Sequence, residues 1–413
     1  MIIKIKGTRD IYYPEIEKWI YIEEKARHIF SLYGYKEIRT PIIENTELFV
    51  RGVGEETEIV RKEMYTFNDK SGRSITLRPE NTASVVRAMI ENNLFNIKEM
   101  LRVFYLGPMF RYDKPQKGRY RQFHQIGVEA FGEEDPSLDA EIVEMGDFLF
   151  KELELGNYDI LVNSVGCKKC KIPYVEMVKK EALKKMEFLC EDCRRKIDTN
   201  PLRIFDCKNE DCIKISEDFP KITDNLCDEC EEHFKAVMEY LENQNINFKV
   251  EKRLVRGLDY YTKTAFEFIS PDLGRTQNSI LGGGRYDDLV YELGGPSLCG
   301  IGFAIGMERL VSTLKAFEPR EKSEIFVVPL ERESKHEALT LSKYLRQNNI
   351  STRVEYRERN IKSTLSKLSK SKIKWVVIIG REEISKGIYR LKNMESGIQT
   401  DVNKEEILKW LRS

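Results

Sequence analysis

The chain has 413 residues, with 68 basic and 68 acidic side chains for a formal net charge of zero and 41% apolar residues; its mean hydropathy is −0.47. That length allows two or three domains with separate cores, and the balanced charge excludes a protein that binds nucleic acid by bulk charge alone. The opening MIIKIKGTRD has no apolar leader and no run reaches membrane-spanning length, so a cytoplasmic protein with no membrane partner is expected.

In chain order, Pro14 suits a helix start, and Ile16, Trp19, Ile22, Ala26, Ile29 and Tyr33 follow at helical spacing until Gly34. Lys36–Glu44 reads as a strand whose Pro41 belongs at an edge or bend, either a plain sheet edge or a dimer surface. Tyr65–Phe67 and Ser74–Arg78 read as short strands around a Lys70–Gly72 turn. Arg78-Pro79-Glu80-Asn81-Thr82 then opens a helix to Glu91, where Glu80 and Thr82 are either caps or ligand-facing groups.

Val103–Phe110 and Tyr120–Phe131 read as two strands around a Pro115- and Gly118-bearing turn. From Arg102 to Arg121 there are six basic residues against Asp113, net +5. Such a tip is either a solvated basic surface or a polyphosphate or nucleic-acid contact. Arg121, Phe123, Gln125, Gly127 and Glu129 share one strand face. Gln125 and Glu129 break its apolar pattern, and an unpaired buried polar group costs about 1–3 kcal/mol, so a polar ligand is a reasonable partner. His124 falls on the opposite face, a packing position.

A helix is expected over Ser137–Glu154 and a strand over Tyr158–Asn163. The next block holds eight of the nine cysteines, in pairs Cys167/Cys170, Cys190/Cys193, Cys207/Cys212 and Cys227/Cys230. In a reducing compartment these are ligands of two Zn(Cys)4 sites or simply free thiols. Leu254–Asp259, Thr264–Ile269 and Leu298–Ile305 read as strands, Gly282–Gly284 as a turn that lets backbone approach a ligand, Met307–Phe317 as a helix, and Cys299 as a buried inert thiol. From Glu321 the pattern alternates: strands Ile325–Pro329, Thr352–Tyr356 and Trp375–Ile379, with helices His336–Asn348 and Ile361–Lys370. A small α/β domain with a largely parallel sheet is expected there. It carries 20 Lys+Arg and 13 Asp+Glu, net +7, leaving −7 for the rest of the neutral chain. No P-loop occurs, and the spacing of Gly300, Gly302 and Gly306 is wrong for a dinucleotide fingerprint.

Together these stretches resemble the histidyl-tRNA synthetases among the class II aminoacyl-tRNA synthetases. KGTRD (Lys6–Asp10) is similar to that family's N-terminus and EIRTPIIE to its motif 1. Gly107–Glu129 resembles motif 2, and Gly300–Leu310 motif 3. LVRGLDYYTKTAFEF (Leu254–Phe268) resembles the histidine-specific signature, the most restrictive of the set. The resemblance implies an α+β fold: a class II antiparallel-sheet catalytic domain in two parts (1–163 and 249–320), an inserted Cys-rich domain (164–248), and a C-terminal α/β anticodon-binding domain (321–413). A homodimer is implied as well.

The resemblance also implies a two-step reaction, in which L-histidine and ATP, with Mg2+, give histidyl-adenylate, and histidine then passes to the 3′ end of tRNA(His). Arg111 would hold the α-phosphate, with Arg256 opposite it stabilising the transition state; these two are the implied catalytic pair. Arg309 would hold the γ-phosphate and Arg119 the pyrophosphate region. Glu129 and Tyr261, with Tyr260 alongside, would read the imidazole, while Glu80, Thr82 and Gln125 would hold the ammonium and carboxylate. Asn81, Arg111 and Arg256 complete the implied histidine-binding set, Asn81 standing where the family usually has glycine. Gln116 would touch the tRNA acceptor end. Zn2+ in the insert rests on cysteine spacing alone. Two rivals remain. A catalytically inactive synthetase-like regulatory subunit of histidine biosynthesis would lack the arginines and the C-terminal domain. A non-catalytic RNA-binding protein would need no preserved pocket.

Overall fold

The computed structural model describes residues 1–96, 100–116, 118–274, 278–315, 317, 324–357, 360–370 and 373–412. Lys117 and the expected border at residues 320/321 lie outside them. The chain divides into two compact units, Met1–Phe317 and Glu318–Ser413.

The first unit opens with α1 (Glu15–Leu32), whose buried Trp19, Ile22, Ala26, Ile29 and Phe30 form one stripe. Gly34, at φ +80°, ends the turn that follows. The expected strand Lys36–Glu44 is broken into β1 (Lys36–Glu37) and β2 (Ile43–Asn45), which join different sheets. Pro41 lies in the break, where a residue without an N–H interrupts no ladder. After α2 (Thr46–Val53) come β3 (Tyr65–Asn68) and β4 (Ser74–Leu77), forming with β2 a sheet in the order β2-β4-β3. α3 (Thr82–Glu91) leads to the hairpin of β5 (Leu101–Phe110) and β6 (Gln122–Phe131), paired antiparallel from Leu101↔Phe131 to Phe110↔Gln122. α4 (Pro136–Glu152) is capped by the Asp135 carboxylate and precedes β7 (Asp159–Ser164).

The Cys-rich block is helical: α5 (Lys168–Lys184), α6 (Glu191–Thr199), α7 (Glu210–Glu217) and α8 (Asp228–Asn243). It has its own small core around Tyr174, Val178, Ile197, Ile204 and Phe205. The chain returns through β8 (Phe248–Val250), β9 (Thr262–Ile269), β10 (Ser279–Arg285), a short α9 (Leu289–Glu292), β11 (Gly300–Gly306) and α10 (Met307–Thr313). The main sheet runs β1-β5-β6-β11-β10-β9-β7-β8, antiparallel except for its two outermost pairings. One face packs on α1 and α4 through Phe30, Phe104, Val128, Phe150, Phe266 and Phe303.

Besides the broken strand at Lys36–Glu44, three further expectations fail in this unit. Leu254–Asp259 is a loop, because its backbone finds partners outside any ladder: the Leu254 N–H donates to the Glu251 carbonyl (2.8 Å), the Leu254 carbonyl accepts from Asn163 Nδ2 (2.9 Å), and the Asp259 N–H reaches the Val53 carbonyl (3.3 Å). Gly282–Gly284 is no turn but the middle of β10. The helix from Met307 stops at Thr313, before Phe317.

The second unit contains β12 (Glu324–Pro329), α11 (Lys335–Gln347), β13 (Ser351–Val354), α12 (Ile361–Lys370), β14 (Trp375–Ile379), α13 (Arg381–Lys386), β15 (Tyr389–Asn393), β16 (Gln399–Val402) and α14 (Lys404–Arg412). Its sheet order is β13-β12-β14-β15-β16, parallel for the first three strands and antiparallel for the last two pairings. "Largely parallel" is therefore corrected to mixed. Only residues 380–388 separate β14 from β15, too few for a parallel crossover of about a dozen residues, so the chain must double back. No helix among the described residues is long and apolar enough to cross a membrane.

Candidate active site

On the sheet face away from α1, a cavity is lined from four directions: Glu80 and Thr82 before and at the start of α3, Arg111 to Glu129 on the hairpin, Arg256 to Tyr261 on the loop before β9, and Ser279 to Arg309 on β10, β11 and α10. The alternation of β6 delivers this, since Phe123, Gln125 and Glu129 line the cavity while His124 points to the other side. There His124 Nδ1 lies 3.1 Å from Glu308, and its ring meets Trp19 edge-on at 5.1 Å.

Glu129 is the centre of the floor. It is 1% exposed. The Thr82 hydroxyl donates to its Oε1 at 2.7 Å, and the Tyr286 hydroxyl donates to its Oε2. Burial pushes its carboxyl up to about 8 despite these donors, so the ligand-free site holds it protonated at neutral pH. Glu80 accepts the N–H groups of Thr82 (2.7 Å) and Ala83 (3.0 Å), so it caps α3 and lines the cavity at once. Burial raises its carboxyl too. Gln125 Oε1 is buried without a hydrogen-bond partner among the described residues, an acceptor left for a ligand.

Four guanidiniums surround this floor. Arg111 Nε donates to the Pro79 carbonyl (2.9 Å), and its guanidinium lies 5.3 Å from the Phe123 ring centroid. Arg309 Nη1 donates to the Ser279 carbonyl (2.7 Å), and Arg119 pairs with Asp113. Arg256 meets Glu267 at 3.2 Å and lies 5.5 Å from the Tyr261 ring, with Nε buried and unpartnered. Among the described residues Arg111 and Arg309 form no ion pair, and burial lowers the pKa of each. Partly desolvated cations without counter-ions are costly unless an anion arrives.

Glycines make room for this chemistry. A Cβ on Gly282 would collide with the Arg256 guanidinium, one on Gly302 with the Glu129 carboxylate, and one on Gly127 with the Tyr105 phenol. These glycines therefore leave room for the side chains that line the cavity, packed flat against the strands.

The cavity brings together Glu80, Thr82, Arg111, Arg119, Gln125, Glu129, Arg256, Tyr260, Tyr261 and Arg309. Asn81 stands behind its wall: Oδ1 accepts from Thr40 Oγ1 (2.7 Å) and Arg78 Nη1 (3.0 Å), and its φ of −119° needs no left-handed geometry. Gln116 is exposed on the hairpin tip and does not line the cavity. Sequence reasoning missed Tyr286 and Tyr105, both buried and both cavity-lining. Tyr286 could have been suspected from its place just after Gly-Gly-Gly-Arg; Tyr105 sits in an apolar strand and gives no signal.

The eight cysteines of the insert are unbridged and form two groups, Cys167/Cys170/Cys227/Cys230 and Cys190/Cys193/Cys207/Cys212, that could each hold a metal ion. Cys299 is buried, as expected, and burial raises its pKa.

The sequence model of the family described as histidyl-tRNA synthetase matches residues 7–189 and 207–310, and that of an anticodon binding domain matches 324–413. The chain is 47% identical over 401 residues to the histidine–tRNA ligase of Halothermothrix orenii, covering 96% of each. It is 45% identical over 412 residues to that of Caldanaerobacter subterraneus subsp. tengcongensis, covering 99% of each. The crystal structure of apo histidyl-tRNA synthetase from S. aureus superposes with a TM-score of 0.83 at 35% identity, covering 100% of both chains.

Proposed function

The chain belongs to the histidyl-tRNA synthetase family, and on that premise we propose how its residues divide the work of an ATP-dependent histidine–tRNA ligase. The overall reaction activates L-histidine with ATP to histidyl-adenylate and then transfers histidine to the 3′ end of tRNA(His). Full-length likeness to histidine–tRNA ligases favours this over a regulatory subunit.

One observation carries the division of roles: a single cavity joins a buried, protonatable floor to a rim of guanidiniums, two of them without ion-pair partners among the described residues. The imidazole of histidine offers one N–H and one acceptor. Glu129 takes the N–H, and a tyrosine hydroxyl, Tyr261 with Tyr260 beside it, serves the other side. Glu80, Thr82 and Gln125 hold the amino-acid backbone, the unpartnered Gln125 oxygen supporting this. ATP enters as its Mg2+ complex. Arg111 and Arg256 flank the α-phosphate, Arg256 stabilising the charge that develops there, while Arg119 and Arg309 take the pyrophosphate end. Gln116 reaches the tRNA acceptor end, and residues 321–413 read the anticodon. Residues 1–163 and 249–320 form the catalytic body around the insert, 164–248. The enzyme works in the cytoplasm as a homodimer.

The test is histidine-dependent ATP–pyrophosphate exchange by the full-length protein with Mg2+. Exchange with histidine and not with apolar amino acids is expected; none with histidine from folded protein overturns the reading. Arg256→Ala should abolish exchange while leaving histidine binding largely intact. Loss of binding instead would make Arg256 a substrate-positioning group.

A further inference from the structure

Within each cysteine group of the insert, all four sulfurs lie within 4.8 Å of one another. Cys167 Sγ is 3.8 Å from Cys170 Sγ and 3.9 Å from Cys227 Sγ, and Cys190 Sγ is 3.9 Å from Cys207 Sγ. Four sulfurs placed tetrahedrally about 2.3 Å from a zinc ion stand about 3.8 Å apart. The spacing therefore suits one mononuclear tetrathiolate per group and is too tight to surround an iron–sulfur cube. Backbone N–H groups already point at three of the sulfurs, Cys227 N to Cys170 (3.1 Å), Cys190 N to Cys212 (3.2 Å) and Cys193 N to Cys190 (3.4 Å), as thiolates require. Of the thirteen buried residues in the insert's core, four are cysteines (170, 193, 212 and 230). So small a core gains much of its folding energy if a metal holds it. The groups are nested: the outer one ties the start of α5 to the start of α8, and the inner one ties α6 to α7.

The segment clamped by the inner group reaches the active site from behind. Asn200 Nδ2 donates to Asp259 Oδ1 (3.1 Å), Arg203 Nη2 donates to the Gly257 carbonyl, and Arg203 lies 3.7 Å from the Asp259 carboxylate. Gly257 and Asp259 belong to the irregular loop that carries Arg256, Tyr260 and Tyr261 into the cavity. That loop has no ladder of its own, so its position depends on such contacts. Residues 190–206, which hold Cys190, Cys193, Asn200 and Arg203, fall between the two stretches matched by the family model.

We propose that the insert is a two-zinc module with this nested pairing, and that the inner zinc fixes Asn200 and Arg203 as positioning residues for the Arg256–Tyr261 loop. The second half rests on that loop serving the adenylation site; the first half does not.

Metal analysis of full-length protein purified without chelator should give two zinc ions per chain. A content near one or zero, or iron in place of zinc, overturns the module. The double variant Cys190→Ser/Cys212→Ser should keep one zinc, whereas Cys190→Ser/Cys230→Ser should keep none; the reverse pattern overturns the pairing. In the zinc-replete chain, Arg203→Ala should leave zinc content and melting temperature unchanged, speed amide exchange over residues 255–261, and lower kcat for pyrophosphate exchange on the order of ten- to hundredfold. Arg203→Lys should recover most of that loss. A kcat within twofold of wild type, or unaltered amide exchange, overturns the positioning role. Failure of the enzyme reading itself is distinct, since wild type would then show no exchange at all.

Discussion

Glu129 lies buried at the floor of the site. Burial raises its carboxyl from the usual 4.5 to about 8, so between those pH values the folded chain binds a proton that the unfolded chain has released. Stability must then fall as pH rises through that window and level off above it. We expect the ligand-free protein to lose thermal stability from about pH 5 to 8, with Glu129→Gln removing that component; parallel melting curves for the two proteins check it. The same variant should weaken histidine binding on the order of tenfold, the difference between a charged and a neutral acceptor for the imidazole N–H, measured by calorimetry. Tyr286→Phe leaves Glu129 Oε2 without its donor. It should raise the histidine KM by roughly tenfold, at a stability cost of about 1 kcal/mol. Glu129 and Gln125 were legible in sequence because polar residues at period two on an apolar strand demand partners. Tyr286 was not, because a buried tyrosine beside glycines reads equally well as core.

Gly282 shows why an element's composition and its role can diverge. Three glycines in a row argue for a turn from local propensity, yet Gly282–Gly284 pair on both sides, with β9 and β11. They are glycines because side chains from neighbouring elements occupy the space above them. Gly282→Ala should leave the sheet intact by circular dichroism but displace the Arg256 guanidinium, cutting the rate of pyrophosphate exchange on the order of a hundredfold. The loop at Leu254–Asp259 is the converse case. Its alternating pattern fits a strand, but distant acceptors and donors from Asn163, Val53 and the insert claim its backbone groups. Asn81 likewise reads from sequence as a ligand neighbour, whereas Thr40 and Arg78 fix it in the wall behind the site.

Across the whole molecule, each unit has a core of its own, one around Phe30, Val128 and Phe303 and the other around Ile325, Val327, Leu341 and Val377. A chain ending at Phe317 should therefore fold and retain histidine-dependent pyrophosphate exchange within a few-fold, while tRNA charging falls by orders of magnitude. Comparing the two assays on one preparation checks it, and loss of both would mean that the units are not independent. The residues from 321 onward carry net +7 (20 basic minus 13 acidic), so tRNA affinity of the full-length protein should weaken steeply with salt, whereas histidine affinity should change little.

By itself the sequence determined the family and which side chains are present for the proposed chemistry, because guanidiniums, carboxylates and closely spaced thiols, and the motifs that carry them, are read directly from residue types and short spacings. It also determined most helices and strands, whose apolar periods are local. Tertiary structure alone decided how the cysteine pairs combine into two nested groups, which glycines lie under which side chains, and that the loop carrying Arg256 is held from behind by the insert. Those are contacts between segments far apart in the chain, set by how the sheet and the insert pack together, and no local pattern encodes them.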